Sequence, residues 1–369
     1  MDSLKLPLLE AHRTSLEKCV YCPKLSRAAC PVSNAEANET VTPWGKMSMA
    51  FFAARGDVPI DKPHADPAWA CTACYACRER CDHKNEVATV LTDTRAEMFE
   101  RGAAPEGAKK VVERWEERSA EAARALEALE REEGGGAGKD RVHVLVGCGY
   151  ARRSPEVARD ALRATRSLTG RPVRAVRSCC GLPLLYAGDR KGFEAAARRI
   201  AEEVEGADRL ITVDPGCARA LLVEYPRVGA PAVGTSLFVD LALAELARLR
   251  PLSGEERLQN VRYHDPCQLG RGLGRFAEPR AILARITGRP PEEFQRNRLA
   301  AECSGAGGIL PATRPASSSS IAEARVAEHR AMGGGTLVTA CAQSLRRFRA
   351  SGEDAVDLVT LVARAAAPR

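Results

Sequence analysis

The chain has 369 residues, a formal net charge of +7, 45% hydrophobic residues and only 5% aromatics. That length suits two or three ordinary domains, and the interleaved charges exclude a nucleic-acid surface, which needs a basic cluster mixed with aromatics. No apolar run reaches the roughly 18 residues of a membrane span. The start, MDSLKLPLLEAHR, lacks an export signal's apolar stretch and cleavage site. The expected location is therefore cytoplasmic, in a reducing compartment where fourteen cysteines favour metal over disulfide.

Residues 1–105 are turn-rich and carry seven of the cysteines. Their strongest motif is CTACYACRERC, which spaces Cys71, Cys74, Cys77 and Cys81 as C-x2-C-x2-C-x3-C. Three thiolates this close can wrap one cubane, while the fourth points away and serves a second cluster. A zinc site fits poorly, because it usually takes two C-x2-C pairs separated by a spacer. A matching motif lies upstream in KCVYCPKLSRAACPV, with Cys19, Cys22 and Cys30, and with Ser26 where a further thiol would stand. Crossed ligation then predicts one complete [4Fe–4S] cluster from Cys30, Cys71, Cys74 and Cys77. A second cluster would use Cys19, Cys22 and Cys81, its fourth iron left to Ser26 or solvent, as a cubane or a [3Fe–4S] centre.

Residues 106–133 read as one polar helix, broken by the run Gly134–Gly138, the clearest boundary in the chain. Strand and helix patterns alternate beyond it. RVHVLVG (141–147), PVRAVRS (172–178) and RLITV (209–213) read as strands, with helices over 154–168 and 189–205 and a short one over 217–225. A second half repeats the layout. VRYHD (261–265) leads into Cys267, a helix covers 277–287, and RLAAE (298–302) leads into Cys303. A helix over 320–332 and the strand TLVTA (336–340) then lead to Cys341. The expected organisation is a mostly helical, two-cluster ferredoxin-like domain over 1–105 and a helical linker over 106–138. Two duplicated Rossmann-like α/β modules follow, over 139–250 and 251–369.

The segments SCCGLP (178–183), HDPCQLGR (264–271), CSGAGG (303–308) and TAC (339–341) resemble the cysteine-rich CCG domains of the heterodisulfide reductase B/D-like superfamily. That superfamily includes the iron–sulfur subunits of glycolate oxidase and anaerobic glycerol-3-phosphate dehydrogenase. The resemblance implies iron ligands at Cys148, Cys179, Cys180 and Cys217 in the first module and at Cys267, Cys303 and Cys341 in the second. It also implies that Asp214, Ser304 and Ser344 stand where relatives carry further thiols, as weak or lost ligands. The combined plan has eighteen slots. Ser26, Asp214, Ser304 and Ser344 fill four, and the fourteen cysteines fill the rest with none left over.

This pattern leads to an expected role as the iron–sulfur electron-transfer subunit of an oxidoreductase. The modules would add one or two clusters to the two of the ferredoxin-like region. No dinucleotide fingerprint is present, so the donor is expected to be a separate flavoprotein dehydrogenase acting on a 2-hydroxy acid, glycerol-3-phosphate or a similar substrate. The acceptor is expected to be a quinone or another carrier, reached through a partner on the inner face of the membrane. The alternatives are a catalytic heterodisulfide or thiol reductase subunit, weakened by the incomplete thiol sets, and a structural zinc or redox-sensing protein. His264 and Asp265, just before Cys267, are expected to orient their loop by hydrogen bonding, with proton shuttling as the alternative.

Overall fold

The computed structural model describes residues 3–133, 141–252 and 254–366; the expected break at Gly134–Gly138 lies outside them. The chain forms two compact units. The first joins Met1–Trp115 to Pro183–Phe193 and Leu299–Arg325, and the second joins Glu116–Leu182, Glu194–Arg298 and Val326–Arg369.

The first unit is built from short helices and turns. Its longer helices are Pro43–Arg55 and Val87–Glu100. Pro43 suits a helix's first turn, where its missing N–H costs nothing. Thr42 caps that end, its hydroxyl accepting from Gly45 N at 3.1 Å. Gly56, at φ +83°, closes the other end in the left-handed conformation. Leu6, Leu9, Met47, Phe51, Trp69 and Leu91 fill the core between them.

The expected polar helix is two helices, Glu106–Glu113 and Trp115–Glu132. Arg114 (φ −93°, ψ 8°) leaves the helical well between them, and its N–H turns back to the carbonyls of Lys110 and Val112. Periodicity alone does not show this break, because one helical turn interrupts the polar pattern very little.

The second unit is α/β. Four parallel strands, β1 (Val142–Leu145), β2 (Val173–Ala175), β3 (Arg209–Thr212) and β4 (Ser236–Leu237), lie in the order β2-β1-β3-β4. A second parallel sheet comprises β5 (Val261–Tyr263), β6 (Thr336–Thr339) and β7 (Val356–Asp357), in that order. The strands are short and Val/Ile/Leu-rich, as parallel strands covered on both faces are. Parallel pairing needs a crossover between strands. Pro155–Thr169 supplies the one between β1 and β2, with Pro155 in its first turn and Gly170 (φ +66°) as its stop. Val142, Val144, Leu162, Ile211, Leu337 and Leu361 belong to the continuous core of this unit. Loops at the carboxyl ends of β1, β3 and β6 open directly onto Cys148, Asp214 and Cys341.

Candidate metal centres

None of the fourteen cysteines is in a disulfide. The loop carrying Cys71, Cys74 and Cys77 is wound tightly. Ala73 (φ +53°) and Tyr75 (φ +60°) both lie in the left-handed region, which L-residues occupy only at a cost. Tyr75 is buried, and the Arg78 guanidinium lies 5.1 Å from its ring centroid. The winding gathers the three thiols, and Cys30 joins them from the upstream motif. Burial pushes the Cys77 thiol well up, and Cys71, Cys74 and Cys30 push it further. The Ala73 N–H donates to Cys71 Sγ at 3.4 Å.

A lysine sits inside this thiol group. Lys46 is 2% exposed, and its Nζ donates to Cys30 Sγ at 3.2 Å. Burial works against its charge, yet the sulfurs of Cys30, Cys71 and Cys77 outweigh burial and hold its pKa above the ordinary lysine value. Arg95 lies on another side, its Nη2 donating to the Cys71 carbonyl at 2.7 Å. Burial raises the Cys71 thiol, and both cations pull it back down.

The second group is smaller. Burial pushes Cys19 up to about 12, against a donation from Asn85 Nδ2 at 3.1 Å, with Cys81 and Cys22 adding to the rise. Ser26 is half-buried, opens the turn Arg27–Ala29 and makes no capping hydrogen bond with its hydroxyl.

Four thiols form a chain in the second unit. Cys179 donates to Cys148 Sγ at 3.2 Å, and Cys180 bridges Cys179 to Cys217. Gly181 directs its N–H at Cys179, and the Tyr225 hydroxyl donates to the Cys180 carbonyl at 3.0 Å. The Asp214 carboxylate, beside this chain of thiols, is engaged by backbone. Oδ1 accepts from Gly216 N at 2.8 Å and Cys217 N at 3.4 Å, capping the helix Pro215–Arg219, while Oδ2 accepts from Ala342 N at 3.1 Å. One side chain thus ties the loop after β3 to the helix start after Cys341. Burial raises its pKa against these three donors.

Cys341 precedes the helix Ala342–Ala350, and the N–H groups of Ser344 and Gln343 point at its sulfur. Burial comes first in raising its pKa, followed by Asp214 and, more weakly, Cys267. Cys267 and Cys341 belong to the second unit and Cys303 to the first. The Gly305 N–H donates to Cys303 Sγ at 3.3 Å. Ser304 and Ser344 are both buried. Asp265 places its two oxygens on Arg280 at 2.7 and 2.8 Å and accepts from Arg298 N at 2.9 Å. His264 packs edge-on against Phe348 at 4.8 Å. Asp265 thus ties its loop to Arg280 and Arg298.

Lys46, Arg95 and Asn85 were not singled out from the sequence. Lys46 carries a readable signal, because it is a lone cation in the neutral stretch PWGKMSMAFFAA before Arg55. Arg95 and Asn85 stand among other polar residues and carry none.

The residues fit iron–sulfur clusters. Thiols gathered with backbone N–H donors and a buried ammonium suit a large anionic group bound through sulfur. Among the described residues, no three His, Cys, Asp or Glu side chains are placed to hold a single metal ion.

Comparison with known proteins agrees. Residues 15–85 match the family model of a 4Fe-4S dicluster domain, and residues 142–221 and 261–345 each match that of the CCG cysteine-rich domain. The chain therefore belongs to the iron–sulfur proteins that join a dicluster domain to paired CCG domains, and its cofactors are [4Fe–4S] clusters. Within that class it is 27% identical over 336 residues to one subunit of the fumarate reductase (CoM/CoB) of Methanothermobacter marburgensis, covering 88% of this chain and 66% of the relative. It is 31% identical over 201 residues to one subunit of the dihydromethanophenazine:CoB–CoM heterodisulfide reductase of Methanosarcina acetivorans, covering 51% and 49%. It is 27% identical over 274 residues to the probable iron-sulfur-binding oxidoreductase FadF of Bacillus subtilis, covering 66% and 37%. The chain thus spans between about a third and two thirds of the length of these relatives.

Proposed function

We propose that this chain is the electron-relay subunit of a larger oxidoreductase. The observation that carries the reading is the crossed gathering of thiols, in which Cys30 from one motif joins Cys71, Cys74 and Cys77 from another around the buried Lys46. In this reading those four thiols ligate one [4Fe–4S] cluster. Cys19, Cys22 and Cys81 hold a second, with Ser26 or solvent at the remaining iron. Cys148, Cys179, Cys180 and Cys217 hold a third. Such clusters supply one-electron transfer at potentials set by charge and hydrogen bonding. Each parallel sheet is read as a Rossmann-like layer offering its strand ends to a cluster.

The residues' part is to hold the clusters and exclude water. A flavoprotein dehydrogenase supplies the electrons, and a quinone or other carrier, reached through a membrane partner, accepts them. The relatives are named as reductase subunits and an iron–sulfur oxidoreductase, which supports a place within a complex. Among the described residues no helix is long and apolar enough to cross a membrane. A heterodisulfide reductase role finds support in one relative's name. The engagement of Asp214 by three backbone N–H groups speaks against it, since that position offers backbone capping where the full module offers a thiol.

Anaerobic purification with co-purifying proteins, followed by flavin analysis, tests the proposed partner. A flavin-containing dehydrogenase that reduces the chain's clusters on addition of substrate is the expected result. A chain that reduces a disulfide substrate unaided would replace the relay reading with the catalytic one.

A further inference from the structure

Two cations in the first unit are buried with no carboxylate beside them. Lys46 meets Cys30 Sγ at 3.2 Å, and Arg95 spends its guanidinium on four backbone carbonyls, those of Ala68, Cys71, Tyr186 and Gly308, at 2.7 to 3.2 Å. Their exposures are 2% and 1%. Among the described residues neither forms an ion pair. Buried charge without a partner is costly, and a protein that keeps it has an opposite charge to set against it. Protonated thiols carry none. A cubane held by four thiolates does, and its negative charge grows when it accepts an electron.

We infer that Lys46, supported by Arg95, is the fixed countercharge of the cluster held by Cys30, Cys71, Cys74 and Cys77, and that it raises the reduction potential of that cluster. A cation at hydrogen-bond distance from one ligand sulfur stabilises the reduced cluster more than the oxidised one, and little water is present to screen it. The group of Cys19, Cys22 and Cys81 has the neutral amide of Asn85 in the corresponding place. The inference rests on the ligand assignment proposed above.

Three variants read out the charge separately from the hydrogen bond. Lys46→Met removes both, Lys46→Gln keeps a donor without the charge, and Lys46→Arg keeps the charge. EPR-monitored redox titration of each, alongside iron and labile-sulfide counts, gives the midpoint of every cluster. In the Met and Gln variants one cluster should become harder to reduce by about tenfold in its equilibrium, about 59 mV for a one-electron couple. The Arg variant should stay near the parent, and the other midpoints should not move. Loss of one cluster from the Met and Gln variants with retention in the Arg variant would also support the inference. An unmoved midpoint in the Met variant, or an Arg variant behaving like the Met one, overturns it. A parent protein with no iron–sulfur signal would instead sink the ligand assignment.

Discussion

At the scale of single residues, side-chain chemistry at a few buried positions separates holding a cluster from holding the fold. Asp214 accepts from the backbone N–H groups of Gly216, Cys217 and Ala342. Asp214→Ala removes the acceptor for three backbone donors, and losing a helix cap alone costs about 0.5–2 kcal/mol. The expected outcome is a lower unfolding midpoint in denaturant with the iron content of the purified protein unchanged. Loss of one cluster's spectrum at full stability would instead make Asp214 an iron ligand. Ser26→Cys is expected to shift one paramagnetic signal, that of the cluster proposed for Cys19, Cys22 and Cys81, and to leave the others in place.

Asp357 gives the pH dependence. Its carboxyl is wholly buried and accepts from the Tyr150 hydroxyl at 2.7 Å and from Val359 N at 3.0 Å. Burial raises its pKa from 3.8 to about 7, with the Tyr150 and Val359 donors opposing that rise and Asp214 adding to it. The folded chain therefore binds a proton over a range in which the unfolded chain has released it. This stabilisation is complete below the unfolded value and is lost as pH rises through about 7. Denaturant midpoints taken from about pH 6 to about pH 8 should fall for the parent and fall less for Asp357→Asn. Equal slopes for the two proteins would remove Asp357 as the cause.

At the scale of elements, the glycines after Cys303 have a steric use that the motif does not reveal. Gly305 directs its N–H at Cys303. Gly308 does something else. It sits at φ +60°, and a Cβ there would overlap the carbonyl oxygen of Cys71. The loop after Cys303 thus packs backbone to backbone on the loop that carries Cys71. Gly308→Ala should destabilise the first unit by about 1–3 kcal/mol through overpacking. It should also disturb the spectrum of the cluster assigned to Cys71, which optical and EPR spectra of the purified variant would show.

The long periodic elements were legible in the sequence. The strands at β1, β2, β3, β5 and β6 and the helix Pro155–Thr169 follow from alternating hydrophobic runs with proline and glycine at helix ends. The two-residue strands β4 and β7 were not legible, because two residues carry no periodicity. Nor was the break at Arg114. The gathering of Cys30 with Cys71, Cys74 and Cys77 was legible because cluster chemistry fixes ligand spacing. Lys46 and Arg95 were not, because their position depends on tertiary packing.

At the scale of the whole molecule, the compact units cut across sequence order. The first recruits Pro183–Phe193 and Leu299–Arg325 from stretches that periodicity assigns to α/β repeats. A hydrophobic pattern reports the local period of a segment and says nothing about which unit it joins. The same organisation lets cluster binding bear on folding, since ligands brought together from distant segments bind a cluster only in the folded chain. Removing iron by anaerobic chelation should therefore lower the thermal midpoint and expose the Trp69 region of the first unit, measured by near-ultraviolet circular dichroism before and after treatment.

The most direct measurement is iron, labile-sulfide and zinc analysis of the anaerobically purified chain, combined with EPR of the dithionite-reduced protein. The expected result is iron and labile sulfide in near-equal amounts, more than one cluster per chain, and interacting reduced [4Fe–4S] signals that Cys74→Ala simplifies. Zinc without labile sulfide, or iron that persists unchanged in Cys74→Ala together with an unaltered spectrum, would contradict it.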